Sequence, residues 1–194
     1  MGLFSSNVSK QGNSGGGNQG GYLNVSKLGD GESLKVAILS EEALEMWECW
    51  GENAEGQKKP FRFSDEPSQD DIDATLGDYK QRMNYEGTKL EAPKFVVAFF
   101  VLDYADNKVK VMSIPQKTVY TELDRLSQDE DFGDLHAFDL KFSRQGVRME
   151  TQYRVTPLNR KPEAAEAIEA AKKHMVDNNY ELKELIVNGN PFGS

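Results

Sequence analysis

Apolar residues are densest over 95–102 (FVVAFFVL), a run with no polar position. A membrane helix needs about 20 such residues, so this run predicts a strand buried on both faces. A polar turn at 103–107 follows, and then the alternation Lys108-Val109-Lys110-Val111-Met112, the second arm of a hairpin. Further strands are predicted over 33–39, 138–144 and 147–155, the last two joined at Gln145-Gly146. Residues 43–50 alternate as a strand, although Glu41, Glu42 and Glu45 also suit a short helix, and 59–63 reads as extended. Helical signals are fewer. Ser68 is placed to cap a helix whose first turn holds Asp70 and Asp71 and which runs to about Arg82. A short amphipathic segment spans 118–126. Pro162 opens an Ala- and Glu-rich helix over 163–175, and 180–187 is a second helix or a packed strand. Ala167, Ile168, Ala171 and Met175 form a stripe suited to cover the 95–102 strand. The order predicts a mainly β protein with helical additions (α+β), built as a small barrel with a helix in its connectivity.

Composition sharpens the ends. Residues 11–21 are almost entirely Gly, Asn and Gln, so 1–21 is expected to be a disordered arm. The remainder divides into a folded domain at 22–160, a helical segment at 161–187 packing on it, and a flexible tail at 188–194. The first residues lack the basic and apolar regions of a secretory signal, and Gly2 with Ser6 matches a myristoylation pattern only loosely. No membrane partner is expected. One cysteine rules out a disulfide within the chain, and with two histidines it leaves no Cys/His zinc site, so neither metal nor cofactor is expected.

The distribution of charge is more informative. The net charge of −9 disfavours a polyanion partner, but the charges are segregated. Residues 65–78 hold six acids and no base, and 122–139 hold seven acids with only Arg125. By contrast, 141–161 carries Lys141, Arg144, Arg148, Arg154, Arg160 and Lys161 against Glu150, and 58–62 adds Lys58, Lys59 and Arg62. The chain has no phosphate-binding glycine loop and no nucleophile elbow. The acids at 129–134 fit a solvated loop better than a Mg²⁺ nuclease centre, so no catalysis is expected. What remains is cations interleaved with aromatics on strands. Cations track phosphates and rings stack on bases whatever the base, which is what a single-stranded nucleic-acid groove requires. Trp47, Trp50 and Phe63 are candidate stacking residues, balanced against packing.

The runs 108–117 (KVKVMSIPQK), Asp131-Phe132-Gly133-Asp134, Phe138-Asp139-Leu140, Arg144-Gln145-Gly146 and 151–157 (TQYRVTP) resemble the single-stranded DNA-binding proteins of tailed bacteriophages. Residues 29–39 and Pro60-Phe61-Arg62-Phe63 are similar to that family's entry strands, so the resemblance covers about 28–157. It implies an OB-fold-type β-barrel with a C-terminal helix. The implied role is coating single-stranded DNA without sequence readout in phage replication, recombination and repair, in the cytoplasm of an infected bacterium and alongside phage replication and recombination proteins. The implied groove is lined by Lys58, Lys59, Phe61, Arg62, Tyr104, Lys108, Lys110, Lys117, Arg144, Arg148, Tyr153 and Arg154. The chain lacks a strongly acidic C-terminal tail, although Phe192 is placed to anchor a partner. The rival expectation is a protein-interaction or assembly module on the same barrel, docking through its acidic surface.

Overall fold

The computed structural model describes residues 21–193; residues 1–20 of the arm expected over 1–21, and residue 194, lie outside them. Among the described residues the strands are Tyr22–Leu23 (β1), Ser33–Ile38 (β2), Leu44–Glu52 (β3), Lys58–Phe63 (β4), Lys80–Gln81 (β5), Lys94–Asp103 (β6), Lys108–Ile114 (β7), Phe138–Gln145 (β8) and Gln152–Asn159 (β9). The helices are Gln69–Leu76 (α1), Lys117–Ser127 (α2), Ala164–Asp177 (α3) and Glu184–Val187 (α4).

All nine strands form one mixed sheet, in the order β1-β7-β6-β2-β8-β9 with β3, β4 and β5 branching from β6. Only β1 runs parallel to its neighbour. The branch arises because β6 is shared along one edge. Its first half pairs with β3 (Leu44 opposite Ala98) and its second half with β2 (Val36 opposite Asp103).

The apolar run on β6 faces a core on each side, as its lack of alternation requires. Phe99 and Val101 join Val36, Met112, Ile114, Leu140 and Phe142 beneath Val119, Leu123 and Leu126 of α2. Val96, Ala98, Phe100 and Leu102 join Met46 and Val111 beneath Ile168 and Ala171 of α3 and Leu185 of α4. The helical stripe expected to cover this strand does so, with Ala167 and Met175 at its margin. Each fully buried Val, Leu, Ile, Phe or Met among them contributes about 1.5–3 kcal/mol. A third small core of Cys49, Phe61, Ile72 and Leu76 seats α1 on β3 and β4. Gly51 permits that approach, since a Cβ there would lie 2.8 Å from the Phe61 ring.

The sheet curls around the first core, and α2 touches both β7 and β9, the strands whose pairing would close a barrel. No ladder joins those two, so the sheet is open. The molecule is mainly β with helices, of α+β class. No helix among the described residues is long and apolar enough to cross a membrane.

Three expectations change. The strand predicted over 147–155 starts later, because Gly146 (φ 80°) and Arg148 (φ 53°) turn the chain through a 3-10 turn at Arg148–Glu150. The strand β9 then continues past Pro157, which an edge strand with one neighbour tolerates. The helix capped by Ser68 forms with a full Ser68–Asp71 capping box, but it stops at Leu76 before Gly77 and does not reach Arg82. The segment expected as a free tail is packed: Pro191 is buried, and the Phe192 ring sits 5.5 Å from Tyr22 and 5.3 Å from Tyr180. Its backbone is tied by a hydrogen bond from Glu181 N to Pro191 O.

Candidate nucleic-acid interface

The expected groove residues fall at two ends of β6, which strand rise places about 30 Å apart. Lys58, Lys59, Phe61 and Arg62 lie on β4, beside the first residues of β6 through β3. Tyr104, Lys108 and Lys110 flank the β6–β7 turn, while Arg144, Arg148, Tyr153 and Arg154 flank the β8–β9 turn. They do not line one channel.

Several of them are structural. Phe61 is buried in the α1 core, where it meets Tyr79 edge to face. The Arg62 guanidinium is largely enclosed, donates to Glu48 Oε2 at 3.0 Å and reaches the Leu185 carbonyl, fastening α4 to β4. Glu48 also accepts from the Trp50 indole at 3.0 Å, which fixes that ring's orientation beside Arg62. Lys110 is buried between Asp103 (2.7 Å) and Asp106 (2.8 Å). Burial would push its pKa down, but the hydrogen bonds it donates to both carboxylates outweigh that and raise it. Tyr104 donates to Asp139 Oδ1 at 2.7 Å; burial first, and then that carboxylate, push its phenol well above the ordinary value. Arg144 donates to the Leu28 carbonyl at 2.6 Å, bracing the β8–β9 turn. Tyr153 packs against the first core. Buried and paired groups of this kind cannot turn outward to phosphates without leaving their partners unsatisfied.

Lys58, Lys59, Lys108, Lys117, Arg148 and Arg154 are exposed. Lys58 has only a loose pair with Glu52 at 3.7 Å, and the Lys59 ammonium lies 5.1 Å from the Phe61 ring centroid. Arg148 stands on the turn tip between the exposed Val147 and Met149.

What the fold does bring together is a row of rings. Trp47 on β3 lies directly opposite Phe63 on β4 and Phe95 on β6, so all three share one sheet face. Trp47 and Phe95 meet edge to face at 5.7 Å, and Phe95 meets Tyr120 of α2 in the same way at 5.5 Å. All four are half-buried; Tyr120 packs against the first core and Phe63 against the third. Lys117, one helical turn before Tyr120, is the exposed cation at that end. Tyr120 and Phe95 are not legible as binding residues in the sequence, because one reads as a helix interior position and the other as the start of a core strand. Only the register Trp47–Phe95, joined to the helix that follows β7, reveals the row.

Comparison with protein-family models, with curated proteins and with solved structures finds no match.

Proposed function

We propose that this chain is a non-enzymatic, sequence-independent single-stranded DNA-binding protein, of the kind its sequence resembles in tailed bacteriophages. The observation that carries the reading is the half-exposed row Phe63–Trp47–Phe95–Tyr120. Phe63, Trp47 and Phe95 share one sheet face and Tyr120 meets the last of them edge to face, so the ring surface left exposed is available to bases and the Lys117 ammonium to phosphates, and base–ring stacking contributes about 1–3 kcal/mol per base. Support also comes from connectivity. The order β7-β6-β2-β8-β9, with α2 between β7 and β8, follows the five-strand path of an OB barrel. The β3–β4–α1–β5 unit is inserted after its first strand, and α2 lies where the barrel's closing pair would be. On this reading the outer face of β6 and β7, the usual OB binding face, is covered by α3 and α4, and bases are held instead by the inserted hairpin together with Phe95 and Tyr120. The work of the protein is then to protect exposed strands during phage replication, recombination and repair in the host cytoplasm, beside other phage replication proteins.

The test is titration with a thirty-base oligo-dT, following intrinsic fluorescence. Binding that weakens with salt and quenches Trp47 is expected. Trp47→Ala and Tyr120→Ala are each expected to lower affinity about 5- to 150-fold, the equivalent of one lost stack. Undiminished affinity in both variants would remove the row from the interface. A protein-interaction module is the alternative reading, and a partner protein that competes with neither oligonucleotide nor salt would favour it.

A further inference from the structure

The outward side of β2, β8 and β9 is a surface of another kind, on the face of the sheet opposite the aromatic row. Register places Lys35 opposite Lys141 and Lys141 opposite Thr156, with Ser33, Ser143 and Arg154 forming the next row. Like charges directly opposite one another destabilise a sheet, and Lys35 with Lys141 is such a pair. The strands' one outward carboxylate is Asp139, which has no exposed surface and is already engaged. It takes Lys35 at 2.7 Å, Arg160 at 3.1 Å and the Tyr104 hydroxyl at 2.7 Å. On these strands three outward cations (Lys35, Lys141, Arg154) stand against one carboxylate, and Arg160, just beyond β9, shares that carboxylate with Lys35, in a chain of net charge −9. Lys141 and Arg154 are exposed, and neither has a carboxylate partner among the described residues. No ring is open here for a base, since Tyr104 lies beneath the Lys35 ammonium, 4.8 Å from it. The hydroxyls of Ser143 and Thr156 lie between the cations and are donors of the type that phosphate oxygens accept.

We infer that this side of the sheet is a second binding surface, which holds the phosphate backbone of a single strand by Lys141 and Arg154 without touching its bases. The inference rests on the proposed function. Because the aromatic row and this surface lie on opposite sheet faces, a short strand engages the row alone. A longer one passes around the sheet and engages both. The number of phosphates neutralised therefore rises with strand length.

The decisive measurement is the slope of log affinity against log salt for oligo-dT of six and of thirty bases, in the parent chain and in Lys141→Gln/Arg154→Gln. Both side chains are exposed, and near-ultraviolet circular dichroism checks that the fold is retained. In the parent the slope is expected to be steeper for thirty bases than for six. Loss of two phosphate contacts is expected to reduce the thirty-base slope by about 1.4, at about 0.7 per contact for a single strand. A thirty-base slope identical in parent and variant overturns this surface while leaving the row intact. A parent chain that binds neither oligonucleotide overturns both.

Discussion

At Asp139 the sheet buries a carboxylate completely and surrounds it with donors from β2, the β6–β7 turn and the chain beyond β9. Burial pushes its pKa up, but the hydrogen bonds from Lys35, Tyr104 and Arg160 outweigh burial and hold it below the ordinary value. The native state thus takes up this proton less readily than the unfolded chain. The stabilisation is complete above the unfolded value, near pH 4, and is lost as pH falls through the lower native value. Asp139→Asn is expected to remove that component of acid sensitivity, so that the urea midpoint declines less steeply below pH 4 than in the parent. At pH 7 the same variant is expected to be less stable by about 3 kcal/mol, because Lys35 and Arg160 are left without their counter-charge. An acid limb of unchanged slope would show that the carboxylate titrates alike in both states. Glycine acts at this scale too: at Gly146 the positive φ and the nearness of the Glu150 carbonyl leave no room for a side chain, and the β8–β9 turn depends on both.

Among the elements, the C-terminal unit is bound by its last aromatic residue. Phe192 lies against Tyr22, Phe100 and Tyr180, linking β1, β6 and the segment before α4. Phe192→Ala is expected to lower stability by about 2 kcal/mol, less than a fully buried Phe because the ring is half-exposed. A lower denaturant midpoint at constant slope would report it, and a midpoint equal to the parent's would mean that the terminal segment contributes no packing. The sequence made the strands readable wherever one face alternates, and it marked β6 as doubly covered and α3 as its cover. The residues around 147–150 misled because Arg148 and Glu150 alternate with Val147 and Met149 as a strand would. A positive φ at a non-glycine residue leaves no trace in composition. Lys110 and Arg62 read as surface cations because their partners Asp103, Asp106 and Glu48 become neighbours only through turn closure and strand pairing. The ring row was hidden for the same reason: it is assembled from three strands and a helix.

For the molecule as a whole, β6 is the structural link. The two large cores lie on its opposite faces, so neither can dissolve without stripping cover from the other. Thermal unfolding of the described body is therefore expected to be a single transition, with far-ultraviolet dichroism and Trp fluorescence tracing the same curve. Two separated transitions would show that the α3–α4 cover melts independently of the curled sheet. The small core under α1 shares no buried side chain with either large core. It is the region where hydrogen exchange is expected to be fastest among the structured elements.

The prolines noted on the outer strands bear on how copies behave when crowded. On the proposed function, copies coating a strand are brought to very high local concentration, where open sheet edges invite them to join as a continuous ribbon. Here β4 carries Pro60, β9 carries Pro157, and β1 and β5 are two residues long. None of these borders offers an unbroken line of donors to a neighbour. Molecules packed shoulder to shoulder along a nucleic acid would then remain separable units, free to be displaced one at a time, instead of fusing into a fibre.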